Sequence, residues 1–299
     1  MQLLTPQHWT DYELIDSGNY EKLERFGKYT LRRPEPQAVW RKALHETEWH
    51  KLADAYFKKG KNNTSATESG EKGEWILKDS MPQQWFVDYQ YKGMKLTFRL
   101  GLTSFKHIGI FPEQAENWNF IYDSLLKLKA TEARVLNLFA YTGGASLAAK
   151  AAGADVSHVD SVKQVLNWSR ENMEASNLKD IRWVLEDALK FVSRECKRGK
   201  VYQGIILDPP AYGRGPDGER WILEENIAEL MSSCSKILDP KMGFMVLNLY
   251  SMGFSSLIAN NLAKDYFPNI SQSQYGELFV PDRAGRKLPL GIFCRGTSA

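Results

Sequence analysis

The sequence predicts an α/β protein with a mostly parallel sheet covered by helices on both faces, preceded by a smaller β-rich region. Strand-like and helix-like segments alternate from residue 134 to the C-terminal region. Two of these strands, Gly204–Leu207 and Phe244–Leu247, are almost wholly apolar, as expected of parallel strands buried on both faces. Before them, apolar residues recur at every second position of 85–91 and 94–100 around Lys92-Gly93, which predicts a hairpin.

Length and composition fit two domains without a membrane span. The 299 residues suit a small β-rich domain at 1–103, with possible substrate binding, and a larger domain at 104–299. No apolar run approaches the ~18 residues that a membrane helix needs. The N-terminus lacks a signal-peptide pattern, which predicts a cytoplasmic protein. The three scattered cysteines predict neither disulfides nor a structural metal site, and no metal is expected.

The elements follow from local patterns in chain order. A strand is predicted near 27–33, where Pro34 and Pro36 follow, and the polar segment 59–73 is predicted as a loop. A helix is expected from Pro112. Seven strands are then predicted, with a strand pair at the end: 134–140, 155–159, 181–186, 203–207, 243–249, 270–280 and 288–295. Five helices separate them: 144–152, 161–176, 188–198, 219–238 and 254–266.

The stretch from the strand at 134–140 to the turn Thr142-Gly143-Gly144 has the layout of a nucleotide site. Ligands of open α/β sheets bind beyond the carboxyl ends of the strands, where glycine allows close approach. Acidic residues follow the next strands: Asp160 is placed to accept from ribose hydroxyls, and Glu186 with Asp187 from an adenine amino group. Each carboxylate alone is more often a helix N-cap. Together, after a glycine turn, they favour an adenosine-containing cofactor.

A nicotinamide cofactor is the first alternative, and the sequence disfavours it. The turn lacks the G-x-G-x-x-G spacing of dinucleotide sites. The segment Asp208-Pro209-Pro210-Ala211-Tyr212 also follows a predicted strand. Its prolines fix the backbone and leave carbonyls without competing N–H donors, while Tyr212 can stack on a planar base. This segment therefore suits a base held edge-on, although a proline loop with Tyr212 packed inward is the structural alternative.

These motifs resemble those of the class I S-adenosylmethionine-dependent methyltransferases. The match rests on residues 137–146, read with Asp160, Asp187 and Asp208-Pro209-Pro210. Residues 105–114 are also similar to the segment before the catalytic domain in the branch of large-subunit ribosomal RNA methyltransferases that act on cytosine C5 or guanine N7. The resemblance covers about residues 100 to 295. It implies a Rossmann-like catalytic domain with a seven-stranded, mostly parallel sheet and a terminal antiparallel strand.

The resemblance also implies S-adenosylmethionine as cofactor, RNA as partner, and a set of site residues. Phe139, Tyr141, Thr142 and Gly143 would surround the methionine part, with Gln114 beside it. Asp160 would bind the ribose, Asp187 the adenine, and Asp208 would stand between the methyl group and the target. The remaining members of the predicted cofactor set are Lys106, His107, Gly144, Ser161, Glu186 and Ala188. Lys106 could instead meet an RNA phosphate, and His107 could take a proton or be structural.

The acceptor atom is predicted from what the sequence lacks. Cytosine C5 methylation needs a cysteine after the fourth or fifth strand, and neither segment contains one. Cys234 falls within a predicted helix and is interpreted as packing. We therefore expect attack by a base nitrogen, with Asp208 and the Pro209 carbonyl as acceptors and Tyr212 as a stacking platform. A methyltransferase for a small molecule or protein, and a non-catalytic RNA-binding module, are the alternatives.

Overall fold

The computed structural model describes residues 1–7, 9–60, 72–128, 132–250 and 253–298. Most of the predicted polar loop at 59–73 lies outside these residues. The chain divides into two compact units, whose bounds differ from the predicted segments 1–103 and 104–299. Residues 2–4 extend the sheet of the larger unit, and residues 279–290 fold with the smaller one. The larger unit comprises Met1–Leu4, Glu113–Leu278 and Gly291–Ala299, and the smaller one Thr5–Pro112 and Phe279–Leu290.

The described strands and helices are as follows. The strands are β1 (Gln2–Leu4), β2 (Tyr12–Gly18), β3 (Glu21–Phe26), β4 (Tyr29–Pro34), β5 (Ala55–Lys59), β6 (Gly73–Leu77), β7 (Gln84–Tyr91), β8 (Met94–Gly101), β9 (Arg134–Leu138), β10 (Asp155–Asp160), β11 (Ile181–Leu185), β12 (Gly204–Leu207), β13 (Tyr212–Arg214), β14 (Arg220–Ile222), β15 (Phe244–Leu249), β16 (Gln272–Pro281) and β17 (Lys287–Thr297). The helices are α1 (Glu46–Leu52), α2 (Ala115–Leu128), α3 (Gly144–Ala151), α4 (Lys163–Ala175), α5 (Ala188–Lys197), α6 (Leu223–Ser235) and α7 (Ser256–Tyr266).

The large sheet has the strand order β1-β16-β17-β15-β12-β9-β10-β11. Strands β15, β12, β9, β10 and β11 run parallel to one another. Strand β17, on the other side of β15, pairs antiparallel with it. This confirms the mostly parallel sheet with a terminal antiparallel strand. The eighth strand, β1, is an addition at the edge that three residues of sequence did not indicate.

The strands at the middle of this sheet are buried because their side chains are apolar on both faces. All residues of β12 and β15 are buried. Phe191 of α5 and Leu230 of α6 pack in the same core cluster as β12, and both are fully buried. Burying a side chain of this size contributes about 1.5–3 kcal/mol. The apolar segments therefore fix which strands lie at the centre, where the carboxyl ends meet.

Two predicted helix starts are wrong. Pro112 begins a short 3-10 turn, and the α-helix starts only at Ala115. The helix predicted at 219–238 begins at Leu223, because Arg220–Ile222 forms strand β14 and pairs with β13. Trp221 lies in this hairpin, and its indole N–H donates to the carbonyl of Pro210 at 2.7 Å. That hydrogen bond favours the hairpin over another helical turn.

The smaller unit contains a five-stranded sheet, ordered β2-β3-β4-β5-β6, and the hairpin β7-β8. The hairpin predicted around Lys92-Gly93 is confirmed, with Tyr91 opposite Met94. Its aromatic residues mostly belong to the core: the ring of Tyr89 meets that of Trp9 at 5.0 Å between centroids, and both are buried. The region is thus β-rich, as predicted.

Candidate active site

The glycine turn, residues 139–144, lies at the carboxyl end of the central strand β9. Strand β9 has β12 on one side and β10 on the other, so the strand order reverses there and opens a crevice. Phe139 and Tyr141 adopt positive φ angles of 55° and 49°. Such conformations cost about 1–3 kcal/mol each for residues other than glycine and persist only where the surroundings hold them. The shape of this turn is therefore imposed by the fold.

Glycine is required at the two positions of the turn for different structural reasons. Gly143 has a φ of 95°, which glycine adopts without strain, and it caps the N-terminus of α3. Gly144 is packed closely against α2: a Cβ there would lie 2.5 Å from Cζ2 of Trp118. Gly144 therefore lets α2 and α3 approach each other, and this packing explains the glycine without a ligand contact.

Asp160 fastens the turn to the neighbouring strand. Its Oδ2 accepts from the backbone N–H of Tyr141 at 2.9 Å, and its Oδ1 accepts from that of Val162 at 2.9 Å. It is not a helix N-cap, since Val162 occupies that position of α4. Burial raises the pKa of Asp160, and the hydrogen bonds from Val162, Tyr141 and Ser161 oppose this. Each oxygen keeps acceptor capacity, which fits the predicted contact with ribose hydroxyls.

The acidic pair after β11 has structural partners. Asp187 is the N-cap of α5 and accepts from the backbone N–H of Lys190 at 3.0 Å. Glu186 forms a two-fold ion pair with Arg194, in which Oε1 accepts from Nη1 at 2.6 Å. The N-cap alternative thus holds for Asp187. Ala188, the first residue of α5, is buried beside it. Binding of adenine by these three residues stays a prediction.

Asp208 lies next to Asn248 because their strands pair in parallel, with Leu207 opposite Leu247. Asn248 Nδ2 donates to Asp208 Oδ1 at 2.7 Å. Burial raises the pKa of Asp208 to about 6, and the hydrogen bond from Asn248 opposes that rise. The sequence analysis missed Asn248, although a single amide in the buried strand Phe244–Leu249 was an available signal.

The loop after Asp208 is held by Trp221. The Trp221 ring lies 4.7 Å from that of Phe139, between centroids, and its N–H donates to the Pro210 carbonyl. The expectation that both proline carbonyls lack N–H donors is therefore wrong for Pro210. Within the described residues, no hydrogen bond to the Pro209 carbonyl is found. Tyr212, at the start of β13, is half-buried, so its ring is not packed fully inward.

Three further predicted residues precede α2. Gln114 lies in the larger unit, and its Oε1 accepts from Nδ2 of Asn117 at 2.9 Å. Lys106 and His107 belong to the smaller unit. The backbone carbonyl of Lys106 accepts from Arg33 at 3.3 Å, and the His107 ring lies 5.2 Å from that of Phe111. Their contacts with a cofactor stay predictions.

A set of buried polar side chains beneath the glycine turn was not recognised from the sequence. Its members are Asn137, Ser146, His158, Ser169 and Asn172, each at most 2% exposed. Two of them bond directly to the turn: Ser169 Oγ donates to the Tyr141 carbonyl at 2.6 Å, and Asn172 Nδ2 donates to the Thr142 carbonyl at 2.9 Å. The available signal was His158, a histidine in the middle of the buried strand β10.

The fold, the strained turn and the carboxylates beyond it are typical of α/β enzymes that bind an adenosine-containing cofactor. The family model for the S-adenosylmethionine-dependent methyltransferases matches residues 69–257, more than half of the chain. The chain therefore belongs to this family, and S-adenosylmethionine is its cofactor. The predicted enzyme class, fold class and cofactor are confirmed. Gly143 at the carboxyl end of β9 and the remaining acceptor capacity of the Asp160 carboxylate fit S-adenosylmethionine.

Relatives and solved structures agree with this assignment. The structure is similar to the crystal structure of an S-adenosylmethionine-dependent methyltransferase from Agrobacterium tumefaciens, with a TM-score of 0.90, 35% identity, and coverage of 100% of this chain and 94% of that one. The ribosomal RNA large subunit methyltransferase K/L of Shewanella frigidimarina is 30% identical over 147 residues, which are 48% of this chain and 20% of that protein. The protein of that name from Pseudoalteromonas translucida is 29% identical over 161 residues, 52% and 22%. The chain thus spans about a fifth of the length of these curated relatives.

No group of three or more histidine, cysteine, aspartate or glutamate side chains is arranged to hold a metal ion in the described part of the chain. Among the same residues, none of the helices is long and apolar enough to cross a membrane.

Proposed function

We propose that this methyltransferase methylates a nitrogen atom of a base in ribosomal RNA. The observation that carries the proposal is the pairing of Asp208 with Asn248 at the end of β12. Asn248 occupies one carboxylate oxygen of Asp208, which leaves the second oxygen and the Pro209 carbonyl as acceptors. A base edge that bears N–H groups matches two neighbouring acceptors, and Tyr212 offers a stacking face beside them.

The chain's own residues would hold both reactants in line. We assign the methionine part of the cofactor to Phe139, Tyr141, Thr142 and Gly143, and the ribose to Asp160. When bound, S-adenosylmethionine supplies a methyl group that is already activated on sulfur. The protein then has to align the acceptor and exclude water, and proximity can supply several kcal/mol of the barrier. Asp208 would orient the target and accept a hydrogen bond from it.

The state of the cysteines supports a mechanism without a covalent intermediate. Attack on cytosine C6 requires a thiolate in reach of the base. Cys234 is fully buried, and burial raises its pKa far above the usual thiol range. Burial also raises the pKa of Cys294 to about 11 and that of Cys196 above its ordinary value. A buried, protonated thiol is a poor nucleophile, so we propose nitrogen methylation.

Ribosomal RNA as substrate is supported by the names of the curated relatives. We further propose that residues 1–103 contribute to binding that substrate, while 104–299 carry catalysis. The protein would act in the cytoplasm, where ribosomal RNA is available to it. A small-molecule or protein acceptor is the competing possibility that the experiment has to separate.

The test uses S-adenosylmethionine labelled in its methyl group. The enzyme is incubated separately with ribosomal RNA from cells that lack this enzyme, with a metabolite fraction and with a protein fraction. We expect label in the RNA alone, in a nucleoside methylated on a ring or exocyclic nitrogen. Label found only in metabolites or only in protein would refute the RNA substrate, and label on cytosine C5 would refute the nitrogen assignment.

Variants of the proposed acceptor residues test the site itself. Asp208→Ala and Tyr212→Ala should lower the methylation rate by at least tenfold while leaving cofactor binding within about twofold. If both variants methylate at the parent rate, the roles assigned to Asp208 and Tyr212 are wrong. Cys234→Ala should retain activity, because the thiol has no part in the reaction.

A further inference from the structure

A chain of hydrogen bonds runs through the protein interior from β9 to the glycine turn. Asn137 Nδ2 donates to Ser146 Oγ at 2.9 Å, and Ser146 Oγ lies 3.0 Å from His158 Nδ1. On the other side of the imidazole, His158 Nε2 lies 3.4 Å from Ser169 Oγ. Ser169 Oγ donates in turn to the backbone carbonyl of Tyr141 at 2.6 Å. These four polar side chains are buried, at no more than 2% exposure.

The tautomer of His158 gives this chain a direction. The amide Nδ2 of Asn137 can only donate, so the Ser146 hydroxyl accepts from it and keeps its own proton for a neighbour such as His158 Nδ1. Burial lowers the pKa of His158 to about 3, which keeps the imidazole neutral. We assign its single proton to Nε2, because the imidazole hydrogen-bonds to the Tyr141 backbone on that side. Every member therefore donates toward the turn.

We propose that His158, supported by Ser146 and Ser169, is a positioning residue that sets the backbone of the glycine turn for the cofactor. Asp160 holds the N–H of Tyr141 and Ser169 holds its carbonyl, so the peptide groups on both sides of this residue are fixed. Nothing in this arrangement touches the reacting atoms. Its effect is on cofactor affinity, through the turn alone.

The strain of the turn explains why such a chain is needed. Tyr141 has a positive φ, and its carbonyl points into the interior, where an unpaired acceptor would cost about 1–3 kcal/mol. A serine alone could satisfy that carbonyl, yet its hydroxyl could rotate instead to the Val165 carbonyl, which lies 2.9 Å away. His158 also hydrogen-bonds to the Tyr141 backbone, a bond that opposes the fall of its pKa, so the imidazole supports this carbonyl beside Ser169.

The inference rests on the proposed placement of the cofactor at the glycine turn, and the experiment separates the two. Cofactor affinity is measured by calorimetry with S-adenosylmethionine for Ser169→Ala, Ser146→Ala and two reference variants. Asp160→Ala tests the placement of the cofactor itself. Ser157→Ala is the matched control, because Ser157 is buried on the same strand, points to the opposite face and bonds to Tyr202. Thermal unfolding is recorded for all four.

We expect Ser169→Ala and Ser146→Ala to raise the dissociation constant by roughly two- to tenfold, the range of one hydrogen bond. Ser157→Ala should leave affinity unchanged even where it lowers thermal stability. Parental affinity in both network variants overturns the inference, as does an equal loss in Ser157→Ala. If Asp160→Ala also binds as the parent does, the cofactor placement is wrong as well. Should Ser169→Ala fail to fold, Ser146→Ala decides, since its hydroxyl makes no bond to the turn.

Discussion

Asp208 directly follows β12, and burial removes water from its carboxyl group. Burial raises its pKa to about 6, and the one opposing influence is the hydrogen bond from Asn248. Near neutral pH the group is therefore mostly ionised but close to its titration. Since Asn248 occupies Oδ1, protonation of the other oxygen turns it into a donor, which no longer suits the proposed hydrogen bond from a base.

This leads to a pH dependence of turnover. With saturating substrates, the turnover number should rise as pH increases through about 6, because the role proposed for Asp208 requires its ionised form. Asn248→Leu removes the donor that favours ionisation and should move this rise to higher pH. Asn260→Leu is the control, since Asn260 is similarly buried on α7. An unshifted profile in Asn248→Leu would contradict the pairing.

The same pKa shift predicts a gain of stability on neutralising the carboxyl. Because the folded-state pKa of Asp208 is raised, its favourable contribution is complete below about pH 4 and is lost as pH rises through about 6. Asp208→Asn should therefore be more stable than the parent at pH 8, by about 1–2 kcal/mol after allowance for partial exposure, and no more stable at pH 4. Urea unfolding at both pH values measures this, and an equal difference at both would refute the titration of Asp208.

Strands β13 and β14 form the element that connects the Asp208 loop to the glycine turn. Trp221 does this through two bonds of different kinds, a ring contact with Phe139 and a hydrogen bond to Pro210. Trp221→Phe keeps an aromatic ring and loses the N–H. We expect a lower turnover number, unchanged cofactor affinity and a stability loss of about 0.5–1.5 kcal/mol. A turnover number equal to the parent's would show that the loop holds its shape without this bond.

Helices α2 and α3 pack closely at one point, Gly144 against Trp118. Gly144→Ala should destabilise the protein by about 1–3 kcal/mol, because a Cβ would overlap the indole. The cost should shrink in a Trp118→Leu background, where the indole is gone. Gly253→Ala is the control, since Gly253 has no neighbouring atom of the described residues within 4 Å of a Cβ placed there. Chemical unfolding of the four variants tests the pair, and additive costs would exclude it as the cause.

Sequence patterns predicted the elements of the larger unit well where one physical effect dominated. The apolar residues of β12 and β15 place these strands at the centre because nothing else can bury them. Helix α6 begins four residues later than predicted, because the hairpin β13-β14 depends on strand pairing that no local pattern shows. The chain from Asn137 to Ser169 was missed because its bonds join residues from four elements, and His158 alone gave a local signal.

At the scale of the whole molecule, two distant parts of the chain meet inside the smaller unit. Asp16 of β2 forms an ion pair with Arg286, which is 270 positions away in sequence. Asp16 also accepts from the indole N–H of Trp49 at 2.8 Å and from the backbone N–H of Leu44 at 2.9 Å. The smaller unit thus needs residues 279–290 to complete it, which no local pattern could indicate.

Removing this carboxylate should loosen the smaller unit selectively. Asp16→Ala leaves Arg286 with Asp282 as its remaining carboxylate, and it removes the acceptor of the Trp49 indole and of the Leu44 backbone. Losses of this kind cost about 1–3 kcal/mol each. We expect faster hydrogen exchange in β2–β4 and in residues 279–290, with protection of β9 and β12 retained. Asp79→Ala, at an exposed position of the same unit, serves as control. Uniformly faster exchange in both units would show that they unfold together.

The rigid glycine turn also affects how strongly the by-product of the cofactor inhibits the enzyme in a cell. Its backbone is held by Asp160, Ser169 and Asn172, so we expect it to keep its shape when the methyl group leaves. The cofactor after methyl transfer differs from S-adenosylmethionine by a single methyl group. A rigid pocket that binds the rest of the molecule discriminates weakly between the two. The enzyme should therefore be slowed by its own by-product. Its rate in vivo would follow the ratio of the two forms more closely than the amount of either.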